Sequence, residues 1–254
     1  MSVSDDVVPA QVPTARAWRT VLEHIEAEML DGTRRPGDRL PPERELAAEL
    51  GVGRSSVREA LRVLEVMGLI RTGTGSGPTS GAIIVAAPRG GMEALLRLQV
   101  AAAGFPLEDV VRTRLVLETA VVADLAHAPT RSIAEARTVA EAMDAGALEP
   151  AEFLALDARL HLALAEASGN VVIAAMMAGL RSSIESYVQE GVSRIADWDA
   201  TADRLRAEHR AILDAIDAGD AEGARRLVHD HISGYYTQAA LTSADGRATG
   251  IPRS

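Results

Sequence analysis

Apolar residues recur along most of this chain at helical spacing, with one short stretch where they alternate instead. Between residues 14 and 30, Trp18, Val21, Leu22, Ile25 and Met29 share one face, the three-to-four-residue recurrence of an amphipathic helix. The cluster "DGTRRPGDR" cannot continue it. "PPERELAAEL" then opens a second helix with prolines, which a first helical turn tolerates, and stops at Gly51-Val52-Gly53. In "RSSVREALRVLEVMGL", Val57, Leu61, Leu64 and Met67 are predicted inward, which leaves Ser55, Ser56, Arg58 and Arg62 to face elsewhere. In "IRTGTGSGPTSGAIIVAAP" the period changes, and two short strands, 70–72 and 82–86, are expected around a Gly/Ser/Thr loop.

From about Gly91 the pattern is helical to the end. "GMEALLRLQVAAAG" reads as a connecting helix, followed by helices near 106–127, 131–145, 150–167, 170–190, 197–217 and 220–238. "HAPT", "GALEP", "SGN", "EGVS" and "AGD" mark the breaks. The expected fold is mostly α: an N-terminal winged helix-turn-helix followed by an all-α helical bundle. The expected boundaries are 10–88 for the first domain, 89–104 for a linker, 105–240 for the bundle, and 241–254 for a tail of disordered composition.

Composition narrows the chemistry. A length of 254 residues with 47% hydrophobic content is enough for a real core. There is no cysteine, so disulfides and thiolate metal sites are excluded. All 26 basic residues are arginine. Residues 1–89 hold 11 Arg against 12 acids, a balance of −1, whereas 90–254 hold 15 against 24, a balance of −9, which together make the net −10. A polyanion would therefore meet the first part and be repelled by the second. The start "MSVSDDVVPAQVP" is acidic and lacks an apolar core, so it is not a signal peptide, and no apolar run approaches the roughly 18 residues of a spanning helix. A soluble cytoplasmic protein is expected.

Two short helices joined by a tight Gly turn, the second opening Arg-Ser-Ser, suit a helix-turn-helix whose second helix enters the major groove by its N-terminal residues. Arginine bonds guanine edges bidentately, and serine bonds phosphates or bases. The plain alternative is a helical hairpin with solvated arginines. The Gly-rich loop lacks the G-x-x-x-x-G-K-[ST] order and precedes a strand, which excludes a nucleotide cradle.

In the second part, polar residues fall on three apolar stripes. Asp157 and His161 lie one turn apart on one helix, His209 lies on the stripe of a second, and His231 on that of a third. His229, His24 and His127 lie off the stripes. A buried carboxylate is costly unless paired or metal-bound. One Asp with three imidazoles is a reasonable ligand set for Zn²⁺, Ni²⁺ or Mn²⁺. Taken singly, each histidine is more often a satisfied core or surface residue than a ligand. A metal-dependent enzyme with Glu166 as its acid is a further alternative, but Glu166 is on another helix face and nothing supplies a nucleophile or cofactor loop.

"LPPERELAAELGVGRSSVREALRVLEVMGLI" resembles the winged-helix domain of the GntR superfamily of bacterial transcription regulators. The resemblance implies DNA contacts by Arg44, Arg54, Ser55, Ser56 and Arg58, with Gly75 and Gly77 as candidates in the wing. Gly53 stands where the family has Ser or Thr, and the wing is longer and richer in Gly than usual. "RLVLE" at 114–118, D-x-x-x-H at 157–161, "SGN" at 168–170 and the His209–Asp220 stretch resemble the FCD ligand-binding domain of the FadR-like subfamily. By that resemblance Asp157, His161, His209 and His231 bind a divalent metal, and Arg114 and Asn170 line an effector pocket. Leu160 stands where Phe is common. The implied protein is a homodimeric, metabolite-responsive regulator of operator DNA, with a small carboxylate effector and repression as the commoner mode. A metal with a purely structural role stays open beside it.

Overall fold

The breaks in the apolar pattern fall at the ends of helices or between them. The computed structural model of the chain describes residues 14–73, 81–85, 89–102, 105–128, 130, 132–146 and 148–239. Two compact units divide between residues 92 and 93.

The first unit holds α1 (Thr14–Leu30), α2 (Glu43–Leu50), α3 (Arg54–Val66), β1 (Ile70–Gly73) and β2 (Gly81–Ile84). Gly51 ends α2 in the left-handed region, φ 63°, and donates its N–H to the Ala47 carbonyl. A glycine takes that conformation without a Cβ clash. β1 and β2 pair antiparallel, Ile70 opposite Ile84 and Thr72 opposite Ala82, and Arg39 bridges to Ile83. Val21, Ile25, Leu46, Val57, Leu61, Leu64, Ile70 and Ile84 form the core.

Three readings of this unit change. β2 starts one residue earlier than alternation predicts, at Gly81, and runs to Ile84, after which the Val85 N–H still donates to the Leu69 carbonyl. The expected end at Ala86 lies outside the described residues. Met67 is not inward. It follows the end of α3 and is 48% exposed, since a spacing argument holds only while the helix continues. Ser56 does not face outward. It is 2% exposed and lies with Val57, Ala60, Leu61 and Leu64 on the buried arc of α3. The loop 74–80, with Gly75 and Gly77, is outside the described residues, as is the tail 241–254.

α4 (Arg89–Ala101) runs across the division between the units. The second unit continues with α5 (Leu107–Ala126), α6 (Ala134–Asp144), α7 (Pro150–Ala167), α8 (Val171–Val192), α9 (Trp198–Asp217) and α10 (Ala221–Gln238). The starts of α7, α9 and α10 show capping chemistry. Pro150 opens α7 behind a Glu149/Glu152 capping box. Asp197 and Asp220 accept from backbone N–H groups at the starts of α9 and α10. α5 packs on α10, α10 on α9, and α7 lies against both α6 and α8. Phe153, Leu160, Leu205, Ile212, Val228, Ile232 and Tyr236 fill the space between them. No helix of the described residues is long and apolar enough to cross a membrane.

Candidate functional site

The surface at the start of α3 is cationic. Arg54, Ser55, Arg58 and Arg62 on α3 are exposed, and so is Arg44 on α2. Arg58 donates to both carboxylate oxygens of Glu43, at 3.4 and 3.1 Å, which ties the two helices across the turn. Gly53 begins α3 with no side-chain acceptor, so the positive end of the helix is open to an anion. Ser56 stands apart from this set because its side chain faces the core.

In the second unit, α7, α9 and α10 bring Asp157, His161, His209 and His231 together, all four buried, with one ligand atom from each within 4.8 Å of the others. His209 Nε2 lies 3.0 Å and His231 Nε2 3.7 Å from Asp157 Oδ1, and His161 Nε2 lies 3.8 Å from Oδ2. His231 Nε2 is 3.1 Å from His161 Nε2 and 3.2 Å from His209 Nε2. These separations suit donor atoms sharing one ion, since a tetrahedral shell of Zn–N bonds has edges of about 3.3 Å.

The protons make the same point. His231 Nδ1 is 2.8 Å from Glu208 Oε2, and His161 Nδ1 is in ion-pair contact with Glu118 Oε2. A carboxylate only accepts, so Nδ1 is the nitrogen that carries the hydrogen beside it and a neutral ring keeps a bare lone pair on Nε2. The contact is a hydrogen bond for His231 and an ion-pair contact without hydrogen-bond alignment for His161. Two bare nitrogens 3.1 Å apart repel one another unless a metal ion or a shared proton lies between them. His209 Nδ1 is buried with no hydrogen-bond partner among the described residues, and its Nε2 faces Asp157.

The remaining candidates fall differently. Arg114 is buried, its Nε donating to Glu118 Oε1 at 2.7 Å and its Nη1 to the Tyr236 hydroxyl at 3.2 Å. With Asp157, His231, Tyr235 and Tyr236 it lines a cavity of only about 10 Å³, little more than one water centre occupies. Asn170 is exposed and caps α8, accepting from the N–H groups of Val172 and Ile173. Glu166 is exposed on α7 and pairs with Arg159 at 3.6 Å, away from the buried cluster. Sequence reasoning passed over Glu118 and Glu208. The one available signal was that each lies four residues after an arginine, Arg114 and Arg204.

The cluster sets a pH dependence. Burial works to raise the Asp157 pKa, but the three histidines outweigh it and hold the carboxyl below its usual range. Burial likewise raises Glu118, and Arg114 with His161 overturns this, bringing it from 4.5 to about 2. Burial, then His209, depress His231 from 6.5 to about 4 against the pull of Glu208. Both folded values lie below the ordinary ones, so the unfolded chain binds more protons and stability falls on acidification. The chelator-treated protein is expected to hold a constant urea midpoint above about pH 7. It then loses stability from 6.5 toward 4 through His231, and from 4.5 toward 2 through Glu118. A midpoint that stays flat from pH 7 to 4 contradicts the buried neutral His231.

Known proteins share both halves. Residues 18–79 match the bacterial regulatory proteins of the gntR family, and residues 109–234 match the FCD domain. The repressor NanR of Cronobacter sakazakii is 30% identical over 242 residues, covering 88% of this chain and 86% of NanR. The chain belongs to the GntR family. Two further relatives are each 29% identical to this GntR-family protein. One, of Escherichia coli K12, is named as an L-lactate dehydrogenase operon regulatory protein and aligns over 85% of this chain and 84% of its own. The other is LutR of Bacillus subtilis, over 82% and 97%. A GntR structure from Streptococcus agalactiae has the same fold, with TM-score 0.52 at 23% identity, covering 86% of this chain and 98% of that one. This GntR-family chain is thus a DNA-binding transcription regulator and not an enzyme.

Proposed function

We propose that this regulator is a homodimeric, metabolite-responsive repressor whose bundle binds a divalent metal and a small carboxylate. Asp157, His161, His209 and His231 hold the ion, which when bound supplies a Lewis-acidic charge that attracts the effector's carboxylate. The observation that carries this reading is the pair of Nε2 atoms, from His161 and His231, facing each other at 3.1 Å with a carboxylate beside each Nδ1. Arg114 sits beside the cluster and offers the effector a second positive group, at the cost of its bond to Tyr236. Arg44, Arg54, Ser55 and Arg58 meet operator DNA, and a two-fold dimer asks for a palindromic site. NanR is named as a repressor, and the name of the E. coli relative ties it to an L-lactate dehydrogenase operon, whose enzyme name refers to a small carboxylate. Both fit this reading.

An effector that binds the free and DNA-bound forms unequally shifts operator affinity by linkage. Fluorescence anisotropy of an operator fragment, with metal-loaded protein and a panel of small carboxylates, is expected to show an apparent Kd shift of about 5–150-fold for one of them. The near absence of free volume beside Arg114 favours a second reading, a structural metal with no effector. In that case no carboxylate moves the Kd, and stripping the metal alone does.

A further inference from the structure

Two of the three clustered histidines are held by the same three-part arrangement, built twice on different helices. On α5, Arg114 donates to Glu118 one turn later, and the other oxygen of Glu118 contacts His161 Nδ1. On α9, Arg204 pairs through Nη1 with Glu208 Oε1 one turn later, and Glu208 Oε2 meets His231 Nδ1 at 2.8 Å. Arg204 is itself fixed, its Nη2 donating to Gln238 Oε1 at 2.6 Å while Gln238 Nε2 donates to Thr201 at 2.8 Å. In both cases an arginine, which only donates, occupies one carboxylate oxygen and leaves the other directed at an imidazole. The third histidine, His209, has no carboxylate at Nδ1; His161 Nδ1 likewise makes no aligned hydrogen bond among the described residues, but it has the Glu118 ion-pair contact.

We propose that Glu118 and Glu208 are positioning residues for the metal centre, each holding one histidine in the Nδ1–H tautomer so that its bare Nε2 faces the other ligands. The proposal rests on the metal reading above. It divides the ligands into two kinds. His161 and His231 are prepared before an ion arrives. His209 directs Nε2 at Asp157 Oδ1, 3.0 Å away, and its proton must leave that nitrogen when an ion binds. Metal-bound histidines elsewhere are oriented by such carboxylates, and losing the carboxylate typically costs about 10–100-fold in affinity.

The two arrangements differ in exposure, which decides the better test. Arg114 and Glu118 are sealed at 3% and 5% exposure, whereas Arg204 and Glu208 stand at 37% and 26%. Glu118→Gln leaves a buried guanidinium against a neutral partner and risks unfolding. Glu208→Gln does not carry that burden. In that variant the amide oxygen must face Arg204, which turns the NH₂ toward His231 Nδ1. An NH₂ only donates, so His231 moves its proton to Nε2, the nitrogen that faces the metal position.

The experiment uses the full chain, stripped with a chelator and ¹⁵N-labelled at histidine, with Zn²⁺ as the probe. Before Zn²⁺ is added, the assigned imidazole ¹⁵N shifts of the wild type are expected to show, among its six histidines, His161 and His231 as Nδ1–H rings and His209 as an Nε2–H ring. In Glu208→Gln one Nδ1–H ring converts to Nε2–H, and Zn²⁺ affinity falls about 10–100-fold with the fold retained. A wild type that binds Zn²⁺ tightly while Glu208→Gln keeps both its affinity and its tautomers overturns the positioning role and leaves the metal reading standing. A folded wild type with no affinity for Zn²⁺, Ni²⁺ or Mn²⁺ overturns the metal reading, and the positioning role with it.

Discussion

His209→Ala is expected to empty the bundle of metal. Elemental analysis of the purified wild type should find about one divalent ion per chain, and the variant none. His209 and Asp157 make the shortest contact from a histidine to the central carboxylate, 3.0 Å, and both are buried. Removing a ligand should therefore cost more than the roughly 10–100-fold typical of a supporting residue. The effect extends to stability. A ligand at about 1,000 times its Kd stabilises the folded state by about 4 kcal/mol, and in a chain of this size each kcal/mol moves the melting temperature by roughly 2–4 °C. Added Zn²⁺ should raise the wild-type melting temperature by several degrees and leave His209→Ala where it was. Equal metal content in the two proteins would mean that the four residues are a polar core cluster rather than a binding site.

Arg54→Ala is expected to weaken operator binding by about 1–3 kcal/mol, roughly 10–100-fold, if Arg54 reads a base edge. It is the first residue of α3, exposed, at a helix start with no capping side chain. Titration across a salt series separates two roles. Loss of a phosphate contact lowers affinity evenly across DNA sequences and reduces the salt slope by about one, whereas loss of a base contact relaxes preference at one position. Arg58 should contribute less freely, since its guanidinium is shared with Glu43. An Arg54→Ala protein with unchanged affinity, salt slope and sequence preference would move the DNA surface elsewhere.

The two units differ in how much of their chemistry was legible in advance. In the first, Ser55, Arg58 and Arg62 are exposed, as helical spacing predicts, and so are Arg44 and Arg54, which the family resemblance singled out. Ser56 is the exception. A serine next to Val57 reads as outward by its chemistry, but it sits four residues before Ala60, on the rim of the stripe that packs inward. Periodicity finds the centre of a buried face better than its edge. In the second unit, the i,i+4 spacing of Asp157 and His161 was visible because one helix sets it. Their meeting with His231, 70 residues away from His161, was expected from polar residues on three separate stripes and from the family resemblance, not from the spacing within any one helix.

The sequence by itself determined the helices, the turns that end them, and which side of its own helix each of Asp157, His161, His209 and His231 takes. These follow from local propensity, capping and a period of 3.6 residues. Only the tertiary structure decided what each side chain meets. It sealed Arg114 against Glu118 and Tyr236, left Asn170 to cap α8, and turned Ser56 inward. It also brought Glu118 and Glu208 behind two of the histidines. The reason is that helical spacing fixes a side chain's direction only about its own axis. Burial, tautomer and pKa depend on the rotation and separation of helices packed side by side, which no single segment encodes.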